Sequence, residues 1–121
     1  MGKKQRILII DDNEHIVAAL KVFLDRKYET VTACNGAEGL AAMDQSENGM
    51  DLVITDLVMP ELSGVEVIST VREKYPKTPI IAMTGWGEHP AASAAAAHAD
   101  RLLVKPFGLE SLDGCVTELL S

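Results

Sequence analysis

Ile7-Leu8-Ile9-Ile10-Asp11-Asp12 sets four apolar side chains in an unbroken row and closes them with two carboxylates. Such a run is too short for a helix. Unbroken apolarity, as opposed to alternation, marks a strand covered on both faces, as in a parallel sheet held between helical layers. Three more runs of this kind follow, Leu52 to Ile54, Ile80 to Met83 and Leu102 to Val104, each bounded by polar or turn residues. A fifth candidate, Glu29 to Ala33, alternates more and reads as an edge strand.

Stripes with helical spacing lie between the runs: Ile16, Val17, Leu20, Phe23 and Leu24, and near the end Leu109, Leu112, Val116, Leu119 and Leu120. Asn35 with Glu38 resembles a capping box that leads into a helix through Leu40 and Met43. A further helix is expected from about Val65 to Lys74, and a fifth, rich in alanine, after Pro90. The order is βα repeated five times. Joined by right-handed crossovers, such units give an α/β fold, a doubly wound five-stranded parallel sheet with five helices on its two faces. With 121 residues, the chain fits one domain over 1–121 and is too short for a closed eight-stranded barrel.

Eleven Lys and Arg against eighteen Asp and Glu give a net charge of −7, which repels phosphate backbones and anionic lipid alike. Neither nucleic acid nor a membrane is expected as a direct partner. Cys34 and Cys115 stand far apart without a CxxC pair or a Cys/His cluster, so a zinc site or redox dithiol is excluded and both read as ordinary buried thiols. The longest apolar-looking stretch, Ala91 to Ala99, contains Ser93 and His98 and falls well short of the ~18 residues that a membrane span needs. Met1 to Arg6 is basic, but only four apolar residues separate it from Asp11, which is no signal peptide. A cytoplasmic protein is expected.

Ligands of an open parallel sheet bind where the strands end. Strand 1 ends in Asp11 and Asp12, strand 3 in Asp56, strand 4 in Thr84, and strand 5 in Lys105 followed by Pro106. Three crowded carboxylates resist shared ionisation unless a cation joins them, and hard oxygen ligands in a sparse cage favour Mg²⁺. A lysine opposite the metal suits a phosphoryl group, and a carboxylate in line with that group can become an aspartyl phosphate. Singly, each residue has a plainer reading: Asp12 as a helix cap, Thr84-Gly85 as a turn, Lys105 as a loop lysine. Their coincidence on one edge of one sheet is what points to chemistry.

These stretches resemble the receiver domain of two-component response regulators, over essentially the whole chain. Ile7 to Asp12 is similar to that family's first strand and acidic pair, and Asp56-Leu57-Val58-Met59-Pro60-Glu61-Leu62-Ser63-Gly64 to its phosphoacceptor loop. Pro79 to Thr84 and Leu103-Val104-Lys105-Pro106-Phe107 complete the pattern. The resemblance implies a flavodoxin-like strand order 2-1-3-4-5 and a phosphoprotein of phosphorelay signalling; no output domain is expected after Ser121. It implies that Asp56 takes a phosphoryl group from a phosphohistidine on a sensor histidine kinase or histidine phosphotransfer protein, and that a downstream protein target reads the result. Asp12 and Asp56 would ligate Mg²⁺ directly, Asp11 largely through water, and the main-chain carbonyl of Val58 would contribute. Thr84 would hydrogen-bond a phosphoryl oxygen, Lys105 would pair with the phosphate, and the Lys105–Pro106 bond would be cis.

Such a domain is not a classical enzyme and would show only weak Mg²⁺-dependent self-phosphorylation and self-dephosphorylation. Val58 and Trp86 would flank the path of the hydrolytic water and slow that loss. Leu102 stands where the family often carries Tyr or Phe, so switching would fall to Thr84 and the Gly85-Trp86-Gly87 run. The competing reading is a phosphorylation-independent interaction module of the same fold. A phosphohydrolase lacks its general acid, since position 58 is Val, and an anionic pocket opposes a flavin phosphate. His15, His89 and His98 lack partners at metal-ligand spacing, and Met43, Met50, Met59 and Met83 read as core or loop filler.

Overall fold

The computed structural model describes residues 4–46, 49–57, 63–85 and 98–121. Strands β1 (Arg6–Ile10), β2 (Glu29–Ala33), β3 (Leu52–Asp56), β4 (Ile80–Thr84) and β5 (Arg101–Val104) form one parallel sheet in the order β2-β1-β3-β4-β5. Four helices are found among the described residues: α1 (Glu14–Leu24), α2 (Gly36–Gln45), α3 (Gly64–Lys74) and α4 (Leu109–Leu120). The fifth helix expected after Pro90 falls outside the described residues. No helix among them is long and apolar enough to cross a membrane.

Alternate side chains of each central strand serve opposite layers. Leu8, Ile10, Val53, Ile80 and Ala82 pack with Met43, Val67, Ile68 and Val71 of α2 and α3. Ile7, Ile9, Leu52, Ile54, Ile81 and Met83 pack with Leu20, Leu24, Leu112 and Val116 of α1 and α4. Both faces are therefore dry, which is why the strands read as continuous apolar runs. Ile7 to Ile10 are all 0% exposed, and each such side chain contributes about 1.5–3 kcal/mol of transfer free energy. β2 lies at the edge its alternation predicts, with only Ala33 fully covered, and β5 forms the other edge.

Polar side chains fix where α1, α2 and α3 start. Asn13 accepts the N–H groups of His15 and Ile16 at 3.0 and 3.3 Å, Asn35 that of Glu38 at 2.7 Å, and Ser63 that of Glu66 at 3.3 Å. The Glu38 carboxylate accepts the Cys34 thiol at 3.0 Å, and this bond, with some burial, pushes the thiol above its ordinary range. Cys34 is exposed and Cys115 half-buried, which corrects the expectation of two buried thiols; Cys34 directly follows edge strand β2. Asp44 of α2 accepts both Lys74 Nζ, at 2.8 Å, and the Tyr75 hydroxyl, and those bonds hold its carboxyl below the usual carboxylate range.

At the amino edge of the sheet, Arg72 of α3 donates to the carbonyls of His98 and Thr78 at 2.7 and 3.0 Å and pairs with Asp100. Asp100 Oδ2 also accepts the Ile80 N–H at 2.8 Å. One planar guanidinium thus fastens α3 to the entries of both β4 and β5. Arg72→Ala should lower the unfolding free energy by about 1–2 kcal/mol, a value reduced for partial exposure of the pair. Arg72→Lys should recover less than half of that loss in urea denaturation, because an ammonium cannot reach three divergent acceptors.

Candidate functional site

Parallel register brings the strand ends to one edge. Ile10 pairs with Thr55, Asp56 with Met83 and Thr84 with Val104, so β1, β3, β4 and β5 end nearly level. The backbone ladder continues past the side chains of interest: Asp11 N–H donates to Ala33 at 3.2 Å, Leu57 N–H to Met83 at 2.9 Å and Lys105 N–H to Thr84 at 2.6 Å. The residues that follow β1 and β5 are therefore held almost as firmly as the strands.

Asp11, Asp12 and Asp56 each place a carboxylate oxygen within 4.8 Å of the other two. Asp11 is 1% exposed and Asp56 7%, whereas Asp12 is exposed at the rim. Asp11 Oδ1 accepts the Asn13 N–H at 2.9 Å, and Asp11 Oδ2 accepts Lys105 Nζ at 2.9 Å. The same ammonium stands 3.5 Å from Asp56 Oδ1. Thr84 closes β4 with its side chain fully buried. The structure therefore brings together Asp11, Asp12, Asp56 and Lys105 and ends the neighbouring strand in Thr84.

The plain reading of Asp12 as a helix cap does not hold, since Asn13 caps α1. Asn13 also does something the sequence did not announce: through its N–H it fixes one oxygen of Asp11. The only advance signal was an Asn one residue after an acidic pair at a helix start. Lys105 likewise has partners that were not foreseen, the acids themselves. The Lys105–Pro106 peptide is cis, in keeping with the resemblance. Leu102 is half-buried and packs on the layer of α2 and α3. Val58, Met59, Trp86 and His89 lie outside the described residues, so the expected carbonyl ligand and the flanking pair for the hydrolytic water have no described position.

Three carboxylates against one ammonium leave an excess of negative charge in a cleft where two of the acids are buried. Repulsion of that kind is relieved by a divalent cation, and an all-oxygen donor set with one solvent-facing acid fits a hard, partly hydrated ion such as Mg²⁺. The lysine beside the acids would at the same time oppose the charge of an incoming phosphoryl group.

Residues 7–117 match the family model described as the response regulator receiver domain. Transcriptional regulatory protein SrrA of Staphylococcus aureus is 37% identical over 103 residues, which are 84% of this chain and 42% of that protein. The uncharacterized transcriptional regulatory protein YkoG of Bacillus subtilis is 35% identical over 112 residues, 91% of this chain and 48% of that protein. The chain thus spans just under half the length of these curated relatives. Among solved structures, a receiver domain protein from Clostridium thermocellum superposes with a TM-score of 0.88 at 31% identity, covering 96% of this chain and 94% of that one. Response regulator TrrA from Thermotoga maritima, in complex with Mg²⁺ and BeF, gives 0.86 at 37% identity, covering 96% and 99%.

Lys105→Met should strand the buried Asp11 carboxylate and, in chelator, cost about 2–3 kcal/mol of unfolding free energy. Adding Asp11→Asn to Lys105→Met should cost little more, so a double-mutant cycle by urea denaturation should show a coupling above about 1 kcal/mol. Additive losses would mean that the pair contributes nothing.

Proposed function

The chain belongs to the response regulator receiver domain family, and we propose from that premise that it is a phosphorylation-controlled switch with Asp56 as the phosphoacceptor. The observation that carries the reading is the meeting of Asp11, Asp12 and Asp56 with the Lys105 ammonium at the carboxyl ends of β1, β3 and β5 of one parallel sheet. The donor is a phosphohistidine on a sensor histidine kinase or histidine phosphotransfer protein, and the reader is a downstream protein target. An interaction module that works without phosphorylation has no use for two buried carboxylates, which are costly to keep.

An oxygen of Asp56 attacks phosphorus, the P–N bond to the donor imidazole breaks, and its electron pair leaves with the imidazole, which takes up a proton. Asp11, Asp12 and Asp56 would hold Mg²⁺, joined on the family pattern by the Val58 carbonyl. When bound, the ion supplies neutralisation of the charge on the transferring phosphoryl oxygens. Lys105 exchanges carboxylate partners for a phosphoryl oxygen, and the Thr84 hydroxyl donates to another. Both adjustments tie the site to the ends of β4 and β5. With a net charge of −7, these 121 residues make no direct nucleic-acid contact, even though the longer relatives are named transcriptional regulators.

Acetyl phosphate with Mg²⁺ should add one base-labile phosphoryl group to the wild-type chain, seen by intact mass. Chelator or Asp56→Asn should abolish the gain, and equal labelling of Asp56→Asn would overturn the assignment.

Because like charges crowd the site, Asp56→Asn should raise stability in chelator by about 0.5–2 kcal/mol. Mg²⁺ should then stabilise the wild type more than the variant, by mass action on the folded state. Equal metal effects in the two proteins would place the ion elsewhere.

A further inference from the structure

Gly64 is buried at the first position of α3, against the peptide that links Asp56 to Leu57. A Cβ at this position would stand 1.9 Å from the Asp56 carbonyl oxygen, 2.6 Å from Leu57 Cα and 2.7 Å from the Asp56 carbonyl carbon. All three are backbone atoms, so no change of rotamer can relieve the clash. Bringing the closest contact from 1.9 Å to the 3.0 Å below which real Cβ atoms are essentially never found would move the helix or the peptide by about 1 Å.

Neither partner is free to move alone. The Gly64 N–H donates to the Leu57 carbonyl at 3.0 Å, while the Leu57 N–H donates to Met83 of β4 at 2.9 Å. The Leu57 side chain is 1% exposed within the core. The backbone that leaves Asp56 is therefore gripped by the sheet on one side and by the first turn of α3 on the other. A displacement there shifts the Asp56 carboxylate relative to Asp11 and Asp12, now within 4.8 Å, and to Lys105, now at 3.5 Å.

We propose that Gly64 is a positioning residue for the phosphoacceptor: its missing side chain lets α3 seat directly on the Asp56–Leu57 peptide, and that contact sets where the Asp56 carboxylate stands among Asp11, Asp12 and Lys105. The inference rests on the assignment of Asp56 as phosphoacceptor. Gly39 supplies the contrast. A Cβ there would meet Ile10 Cδ1 at 2.3 Å and Cγ1 at 2.8 Å, side-chain atoms on the core side of β1 and not backbone. Both glycines are sites of close packing, but only Gly64 packs on the backbone of a site residue.

The test compares wild type, Gly64→Ala and Gly39→Ala. Mg²⁺ affinity is read from amide NMR shifts of the folded protein, and the initial rate of acetyl phosphate labelling is measured at saturating Mg²⁺. Gly64→Ala should weaken Mg²⁺ binding roughly tenfold or more and slow labelling roughly ten- to a hundredfold. Gly39→Ala should lose stability yet keep both values near wild type. If Gly64→Ala binds Mg²⁺ and labels as wild type does, or if Gly39→Ala loses as much, Gly64 has no positioning role. A Gly64→Ala chain that stays unfolded even in trimethylamine N-oxide would make this glycine a folding requirement and overturn the proposal as well. Wild type that neither binds Mg²⁺ nor takes up phosphate would instead bring down the phosphoacceptor reading itself.

Discussion

Holding three carboxylates within 4.8 Å of one another is the constraint around which the carboxyl edge of this sheet is arranged. Left alone, like charges at that spacing would drive the strand ends apart. The fold opposes this in two ways. Lys105 reaches back from the end of β5 to pair with Asp11 and to stand beside Asp56, and the Asn13 N–H takes the other oxygen of Asp11. Asp12, with the most access to water, sits at the rim where its charge is least costly.

That arrangement depends on strands being parallel and level. In an antiparallel sheet the ends of neighbouring strands lie at opposite edges, and no run of four consecutive sheet positions could deliver acid, acid, hydroxyl and amine to one mouth. Here β1, β3, β4 and β5 do so because helices on both faces let the connections cross over and return. The same two-sided burial makes the sheet legible. Ile7 to Ile10 show continuous apolarity because Ile7 and Ile9 serve one layer while Leu8 and Ile10 serve the other. Glu29 to Ala33 alternates because it lies at an edge.

The candidate site was legible for the same reason, since residues just past apolar runs must gather where the runs end. What escaped notice is informative. The pairing of Lys105 with Asp11 depends on distances between strands 94 positions apart in sequence, where residue types alone do not choose between partners. The contact of Gly64 with Asp56 is made by backbone, and a pattern of side chains carries no trace of it. Cys34 was misplaced because cysteine is usually buried, whereas here the chain has already left β2 and the thiol meets Glu38. For Lys105 and Gly64 the missing information was a tertiary neighbour, not a local preference.

Precision at the site follows from which elements carry it. Asp56 ends a strand whose five residues are all buried, and Asp11 and Lys105 follow theirs through ladder bonds to Ala33 and Thr84. α3 is fastened at both ends, by Gly64 against the Asp56–Leu57 peptide and by Arg72 on Thr78, His98 and Asp100. Its eleven residues span about 16 Å at the helical rise, which carries the helix from the carboxyl edge of the sheet to the amino edge. A carboxylate mounted between a buried strand and a helix pinned at both ends cannot relax away from its charged neighbours as it would on a free loop. The repulsion among the acids is thus retained in the folded state as a standing preference for cations, and the rigidity of β3 and α3 is what keeps that preference directed at one place.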